Sequence, residues 1–229
     1  MSRTRIKFCG LTRSEDIHAA VAAGADAIGF VFYKKSARYV SPEQAATLIT
    51  AIPAFVSTVG LFVNCSVEEI VATVAQAPIA SLQFHGDETP EQCARAATQV
   101  NLPYLVALRV RPETLATDLL EYERRCRAAS NLFTGLLLDT FVDGYGGGGR
   151  VFDWATITKE LAPRIVLSGG LRIENAFEAV TKVRPYAVDV SSGIESVVGS
   201  TSGPGIKDAQ LMAAFAAAIR AADNAQSSL

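Results

Sequence analysis

Histidine is scarce and cysteine is unpaired in this chain. Only His18 and His85 occur in 229 residues. The four cysteines, Cys9, Cys65, Cys93 and Cys126, include no CxxC pair and have no histidine in ligand spacing. That pattern argues against a zinc site and against a disulfide framework. Neither sign of charge dominates, since 21 Lys and Arg stand against 23 Asp and Glu. Total charge therefore gives no attraction to nucleic acid or to an anionic membrane, and an anionic small molecule has to be held by local features. A bilayer-spanning run is also missing: Met212–Ile219, the longest helical apolar stretch, falls far short of the ~20 residues required. Met1–Leu11 leads straight into a strand-like segment, without the apolar region and small-residue cleavage site of a signal peptide. A soluble, cytoplasmic protein is expected.

What is present is an alternation that runs the length of the chain. Short β-branched or aliphatic runs occur at Arg5–Cys9, Ala27–Phe32, Val56–Val63, Ile79–Phe84, Tyr104–Leu108, Thr134–Asp139, Ile165–Ser168 and Ala187–Ser191. Most are apolar enough to be buried on both faces, as parallel strands are. Helical patterns lie between them. Ser14, Ser41-Pro42-Glu43, Ser66, Thr89-Pro90-Glu91 and Arg111-Pro112-Glu113 supply caps, prolines or acidic first turns. Trp154–Leu161, Arg172–Val183 and Ile206–Ala222 complete the series. Eight strand–helix units with no change of character predict an α/β chain folded as a single (β/α)8 TIM barrel over residues 1–229. The polar tail, Asp223–Leu229, is expected to fray.

In such a barrel the chemistry lies at the C-terminal ends of the strands. Those ends carry Cys9-Gly10, the Tyr33–Arg38 loop, Asn64, His85-Gly86, Arg109, Asp139-Thr140, Ser168-Gly169-Gly170 and Ser191-Ser192-Gly193. Glycines after strands seven and eight let backbone N–H groups approach an anion at helix starts. Gly169, Gly170, Ser191, Ser192 and Gly193 are thus a candidate phosphate cradle, although tight turns alone also use such glycines. Asp139 follows three leucines and suits acid–base work, a cap or an ion pair. Cys9 suits a thiol at the barrel mouth or a buried core position equally well.

Taken in order, these segments resemble phosphoribosylanthranilate isomerases over nearly the whole chain. The matching motifs are Lys7-Phe8-Cys9-Gly10, Gly29-Phe30-Val31-Phe32, Ser36-Ala37-Arg38-Tyr39-Val40, Val59-Gly60-Leu61-Phe62-Val63-Asn64 and Leu82-Gln83-Phe84-His85-Gly86. They continue with Leu138-Asp139, Phe152-Asp153-Trp154, Leu167-Ser168-Gly169-Gly170-Leu171 and Asp189-Val190-Ser191-Ser192-Gly193-Ile194-Glu195. Two positions depart from the family pattern: Gly148 stands where Gly-Gly-Thr-Gly would have Thr, and Phe84 replaces a Leu.

The resemblance implies an Amadori rearrangement in tryptophan biosynthesis, run by acid–base chemistry with no metal or cofactor. Its substrate would be the phosphosugar N-(5-phosphoribosyl)anthranilate. It further implies Asp139 as general acid, Cys9 as general base, Arg38 as partner of the anthranilate carboxylate, and His85 and Asp189 as contacts to substrate hydroxyls. The glycine-rich segment Gly144–Gly149 has the composition of a loop able to close over substrate. For those roles the site should favour a thiolate at Cys9 and a protonated Asp139. A related aminoaldose isomerase and a non-catalytic phosphosugar-binding barrel are the competing readings. The histidine-pathway isomerase would have Asp where Cys9 stands, and a pure binder has no need of both Cys9 and Asp139. No signal for an oligomeric state is present, because an interface requires exposed apolar area.

Overall fold

A computed structural model describes residues 3–141, 151–196 and 203–227. Eight parallel strands close on themselves in sequence order, β1 (Arg5–Cys9), β2 (Ala27–Val31), β3 (Ser57–Phe62), β4 (Ser81–Phe84), β5 (Tyr104–Val110), β6 (Phe133–Thr140), β7 (Val166–Leu167) and β8 (Ala187–Val190), with β8 pairing back to β1. The expected barrel is therefore the observed one. Around it lie α1 (Ser14–Ala22), α2 (Pro42–Ile49), α3 (Val67–Gln76), α4 (Pro90–Val100), α5 (Ala116–Ala129), α6 (Ile173–Val183) and α7 (Ala209–Ser227).

Register decides which side chains face the barrel axis. Lys7 pairs with Ala27 and with Asp189, Cys9 with Gly29, Gly29 with Val59, and Arg109 with Asp139. Neighbours in a parallel ladder share a face. Lys7, Cys9, Gly29, Asp139 and Asp189 therefore all point inward. The alternate residues of β1, Ile6 and Phe8, point outward into the large core between strands and helices. Inside the barrel the apolar packing is divided between two small groups, one containing Cys9, Val31, Leu61 and Val63, the other Ala107, Leu137, Val166 and Ala187.

Helix starts follow local chemistry. Ser41, Ser66 and Thr89 form reciprocal capping boxes with Gln44, Glu69 and Gln92, as S/T-x-x-E/Q spacing predicts. Three starts differ from expectation. Ser14 is the first helical residue of α1, not its cap, and Arg13 before it pairs with Asp16 at 2.6 Å. Arg111–Thr114 form a turn in which Thr114 Oγ1 accepts the Arg111 N–H, and α5 begins only at Ala116. Trp154–Leu161 does not form an α-helix. Asp153 caps a short 3-10 turn, Trp154–Thr156, and Thr158 Oγ1 accepts the Leu161 N–H before a second turn at Ala162–Arg164. Such side-chain-to-backbone bonds compete with helix propagation, and Thr156, Ile157 and Thr158 are β-branched.

The C-terminal tail is better held than the sequence suggests. Helix α7 continues through Asp223 to Ser227, and Asp223 accepts both the Thr4 N–H at 2.9 Å and the Thr4 hydroxyl at 2.7 Å. This ties the last helix to the chain just ahead of β1. Asp223→Ala leaves the buried Thr4 donors without their acceptor, so the thermal unfolding midpoint should fall, by an amount equivalent to about 1–3 kcal/mol. An unchanged midpoint would show that water replaces the carboxylate at no cost.

No helix among the described residues is long and apolar enough to cross a membrane. The segment Gly144–Gly149, including Gly148, lies outside the described residues.

Candidate active site

The C-terminal rim of the barrel gathers the residues singled out from the sequence, and most of them are already bonded to one another. Asp139, at the end of β6, accepts the Thr140 N–H on Oδ1 at 2.8 Å and lies 3.1 Å from His85 Nε2 through Oδ2. His85 Nδ1 is in turn 3.1 Å from Gln83 Nε2. Gln83 and His85 are two apart at the end of β4, so both face inward. With the Gln83 amide nitrogen against Nδ1, that ring nitrogen accepts and Nε2–H is directed at Asp139. Two buried polar atoms beside this chain, Gln83 Oε1 and Thr140 Oγ1, have no hydrogen-bond partner among the described residues.

Cys9 is almost fully buried at the end of β1. Burial pushes its thiol pKa up; the ammonium charges of Lys7 and Lys207 pull the other way. The net direction is upward, opposite to what the sequence reading required of a base. Lys7 Nζ also meets Asp189 Oδ1 at 2.7 Å, with both side chains buried. A buried charge persists only when paired, and this pair fixes Lys7 as a cation. Asp189 is therefore engaged by Lys7, and by Ser168 Oγ at 3.5 Å.

Arg38, in the loop after β2, is bonded at Nε and Nη2 to Glu195 Oε1 and Oε2, at 2.6 and 2.8 Å. The two-pronged contact expected toward a ligand carboxylate is made here to a protein carboxylate. Nη1 is the edge of the guanidinium that Glu195 does not engage. Lys207 Nζ, fully buried, binds Glu195 Oε1 at 3.0 Å and the Ser191 carbonyl at 2.9 Å. Burial works against the charge of Glu195, but Arg38 and Lys207 overcome it and hold the carboxyl below its ordinary range. Lys207 moves the other way, lowered by burial despite Glu195.

The loops after β7 and β8 are pressed together as glycine-rich segments. Gly169 and Gly170 adopt left-handed backbone at φ 82° and 64°. A Cβ at Gly169 would lie 2.4 Å from the Thr140 N and 2.8 Å from Asp139 Oδ1. A Cβ at Gly193 would lie 2.0 Å from the Leu171 carbonyl oxygen. Ser192–Ile194 form a short helical turn directly after β8. The Ser191 hydroxyl donates to the Cys9 carbonyl at 3.0 Å, which joins the end of β8 to the end of β1.

The structure thus brings Asp139 together with His85, Cys9 with Asp189 through Lys7, and Arg38 with the end of the Ser191–Glu195 loop. Four participants, Lys7, Gln83, Glu195 and Lys207, were not chosen from the sequence. For Lys7 a signal existed: a charged residue two positions before Cys9 on an otherwise apolar strand must share its inward face. Lys207 carried none. A separate cleft of about 650 Å³ opens at the opposite end of the barrel, past Arg5, Asp26, Phe55 and Tyr186. It contains none of the C-terminal strand-end residues.

The family model described as N-(5'phosphoribosyl)anthranilate (PRA) isomerase matches residues 6–218. The chain belongs to this family. An N-(5'-phosphoribosyl)anthranilate isomerase of Herminiimonas arsenicoxydans is 61% identical over 223 residues, covering 97% of this chain and 96% of that protein. Among solved structures, the phosphoribosyl anthranilate isomerase of Thermotoga maritima superposes with a TM-score of 0.80 at 38% identity, covering 95% of this chain and 99% of that one. A phosphoribosyl anthranilate isomerase solved in complex with reduced 1-(o-carboxyphenylamino)-1-deoxyribulose 5-phosphate superposes with a TM-score of 0.77 at 36% identity, with the same coverage. These PRA isomerases share the barrel described above from end to end.

Proposed function

We propose that this chain converts N-(5-phosphoribosyl)anthranilate into 1-(o-carboxyphenylamino)-1-deoxyribulose 5-phosphate, the PRA isomerase step of tryptophan biosynthesis. The observation that carries the reading is the placement of Cys9 and Asp139 at the C-terminal ends of β1 and β6, both facing inward by register. Asp139 gives its proton to the ribose ring oxygen, the C1′–O bond breaks, and the anilino nitrogen closes the Schiff base. Cys9 then takes the proton from C2′, leaving an enol-amine. Protonation at C1′ and loss of the enol proton complete the aminoketose. Atoms and electrons balance without an external oxidant.

A proton has to reside on Asp139 for the first step, and the neighbouring groups supply a way to hold it. In the arrangement above, both Asp139 oxygens accept. Exchanging the ends of the Gln83 amide turns Oε1, which lacks a partner, toward a protonated His85 Nδ1. His85 Nε2 then becomes an acceptor for Asp139 O–H. The second form holds one proton more than the first: Nδ1 takes up a proton from solvent as the Nε2 proton passes to Asp139, and that added proton neutralises the Asp139 carboxylate.

The remaining contacts divide the ligand among the rim loops. The N–H groups of the Gly169-Gly170 and Ser192-Gly193 segments form the phosphate cradle, with Lys207 as the nearby cation. Arg38 meets the anthranilate carboxylate through Nη1, and His85 and Asp189 approach the sugar. Incubation of the purified chain with N-(5-phosphoribosyl)anthranilate, with the product identified by NMR, tests the proposal. Accumulation of the aminoketose is expected. Binding with recovery of unchanged substrate would mark a phosphosugar binder instead.

A further inference from the structure

Most lysines keep their ammonium groups in water, yet Lys7 projects into the barrel and is buried. Its surroundings are built for it. Asp189 arrives from β8 in direct register, and its Oδ1 lies 2.7 Å from Nζ. Lys7 and Cys9 stand two apart on β1 and share its inward face, so the ammonium charge acts on the thiol. On the other side, β2 presents Gly29 opposite Cys9. A Cβ at Gly29 would lie 2.7 Å from Cys9 Sγ and 3.1 Å from Lys7 Nζ, so sulfur and ammonium together occupy the space that any other residue would fill.

We infer that Lys7 is a positioning residue for the reaction, a permanent buried cation, anchored by Asp189, that holds Cys9 Sγ and stabilises it as the thiolate that takes the C2′ proton. This rests on the reading of Cys9 as the base. The other charges acting on the sulfur are Asp189 from β8, Lys207 ahead of α7, and Arg38 from the loop after β2. Lys7 acts on the thiol more strongly than any of these. The arrangement also gives Asp189 a first duty toward Lys7 and only a second toward substrate. An anion left unpaired in the barrel would oppose ionisation of Cys9, whereas the Lys7–Asp189 pair presents the ammonium end to the sulfur.

The test uses Lys7→Met, Lys7→Arg and the double variant Lys7→Met/Asp189→Asn. The double variant removes both buried charges, so that folding does not depend on an orphaned carboxylate. Two quantities are read: the pH profile of kcat/KM, and thiolate ultraviolet absorbance against pH, with Cys9→Ser as the blank. An opposite charge within about 4–6 Å changes a neighbour's ionisation by about one to three pH units. The rising limb of the profile and the thiolate titration should therefore both move at least about one unit toward alkaline pH in Lys7→Met and in the double variant. In Lys7→Met, activity at pH 7 then falls about tenfold or more and is recovered as pH rises, while Lys7→Arg keeps the wild-type limb. A fall in activity with the rising limb and the thiolate titration both unmoved would overturn the role of Lys7 and leave Cys9 as the base. A Cys9→Ser enzyme as active as wild type would overturn both.

Discussion

Asp139→Asn should lower kcat by about a hundred- to ten-thousandfold, the range general acid–base groups supply. The substitution keeps the volume and polarity of the side chain, so the Thr140 N–H and the His85 ring can each still find a partner and the barrel should fold. What it removes is the transferable proton. An amide cannot donate to the ribose oxygen and end as a stable anion, so the ring-opening step loses its acid. The loss should fall on kcat and on kcat/KM alike, because the missing interaction belongs to the transition state and not to the bound substrate. A raised KM with normal kcat would instead make Asp139 a binding group. Circular dichroism and steady-state kinetics on one preparation separate these outcomes from a folding defect.

A second large effect is expected at the crossing of the phosphate loops. Gly193→Ala places a methyl group 2.0 Å from the Leu171 carbonyl oxygen. The obstacle is backbone, which has no rotamer to escape into, so the two loops have to separate. Overpacking of this kind costs about 1–3 kcal/mol of stability. Separation also spreads the N–H groups proposed to hold the phosphate. Losing one hydrogen bond to a charged group amounts to about 1.5–3 kcal/mol, so KM should rise about ten- to a hundredfold. Gly24→Ala is the matched control, since Gly24 has positive φ but nothing within 4 Å of its would-be Cβ. It should lose some stability through backbone strain with KM unchanged. Equal KM values for both variants and wild type would place the phosphate elsewhere.

The barrel was legible in the sequence because a parallel barrel repeats one physical unit: a strand buried on both faces, then a capped amphipathic helix. Capping boxes at Ser41, Ser66 and Thr89 are local, so three to four residues suffice to read them. Where local signals compete, the sequence misleads. Arg111-Pro112-Glu113 looks like a helix start, but Thr114 satisfies the Arg111 N–H and delays the helix to Ala116. Trp154–Leu161 has helical spacing, yet Asp153 and Thr158 draw its backbone into short turns.

The site was legible as a set of positions, not as a set of partners. Strand ends named Cys9, Asp139, His85 and Arg38, and the family resemblance added Asp189, but the contacts that set their chemistry cross the barrel. Lys7 and Asp189 are 182 residues apart, and Arg38 and Glu195 are 157 apart. Only closure of β8 on β1, and the folding of the β2 loop toward the end of β8, bring them together. Nothing local therefore announces that Arg38 is already engaged, or that burial drives the Cys9 thiol upward until a neighbouring ammonium opposes it.

The measurement that bears most directly on the account is the decay of N-(5-phosphoribosyl)anthranilate fluorescence catalysed by wild type and by Cys9→Ser, with folding of the two forms matched by circular dichroism. A serine hydroxyl in place of the thiol is far too weak an acid to form the anion that removes the C2′ proton. Turnover by the wild type and a loss of about a hundredfold or more in Cys9→Ser are expected with Cys9 as the base. Equal rates for the two folded proteins would contradict it.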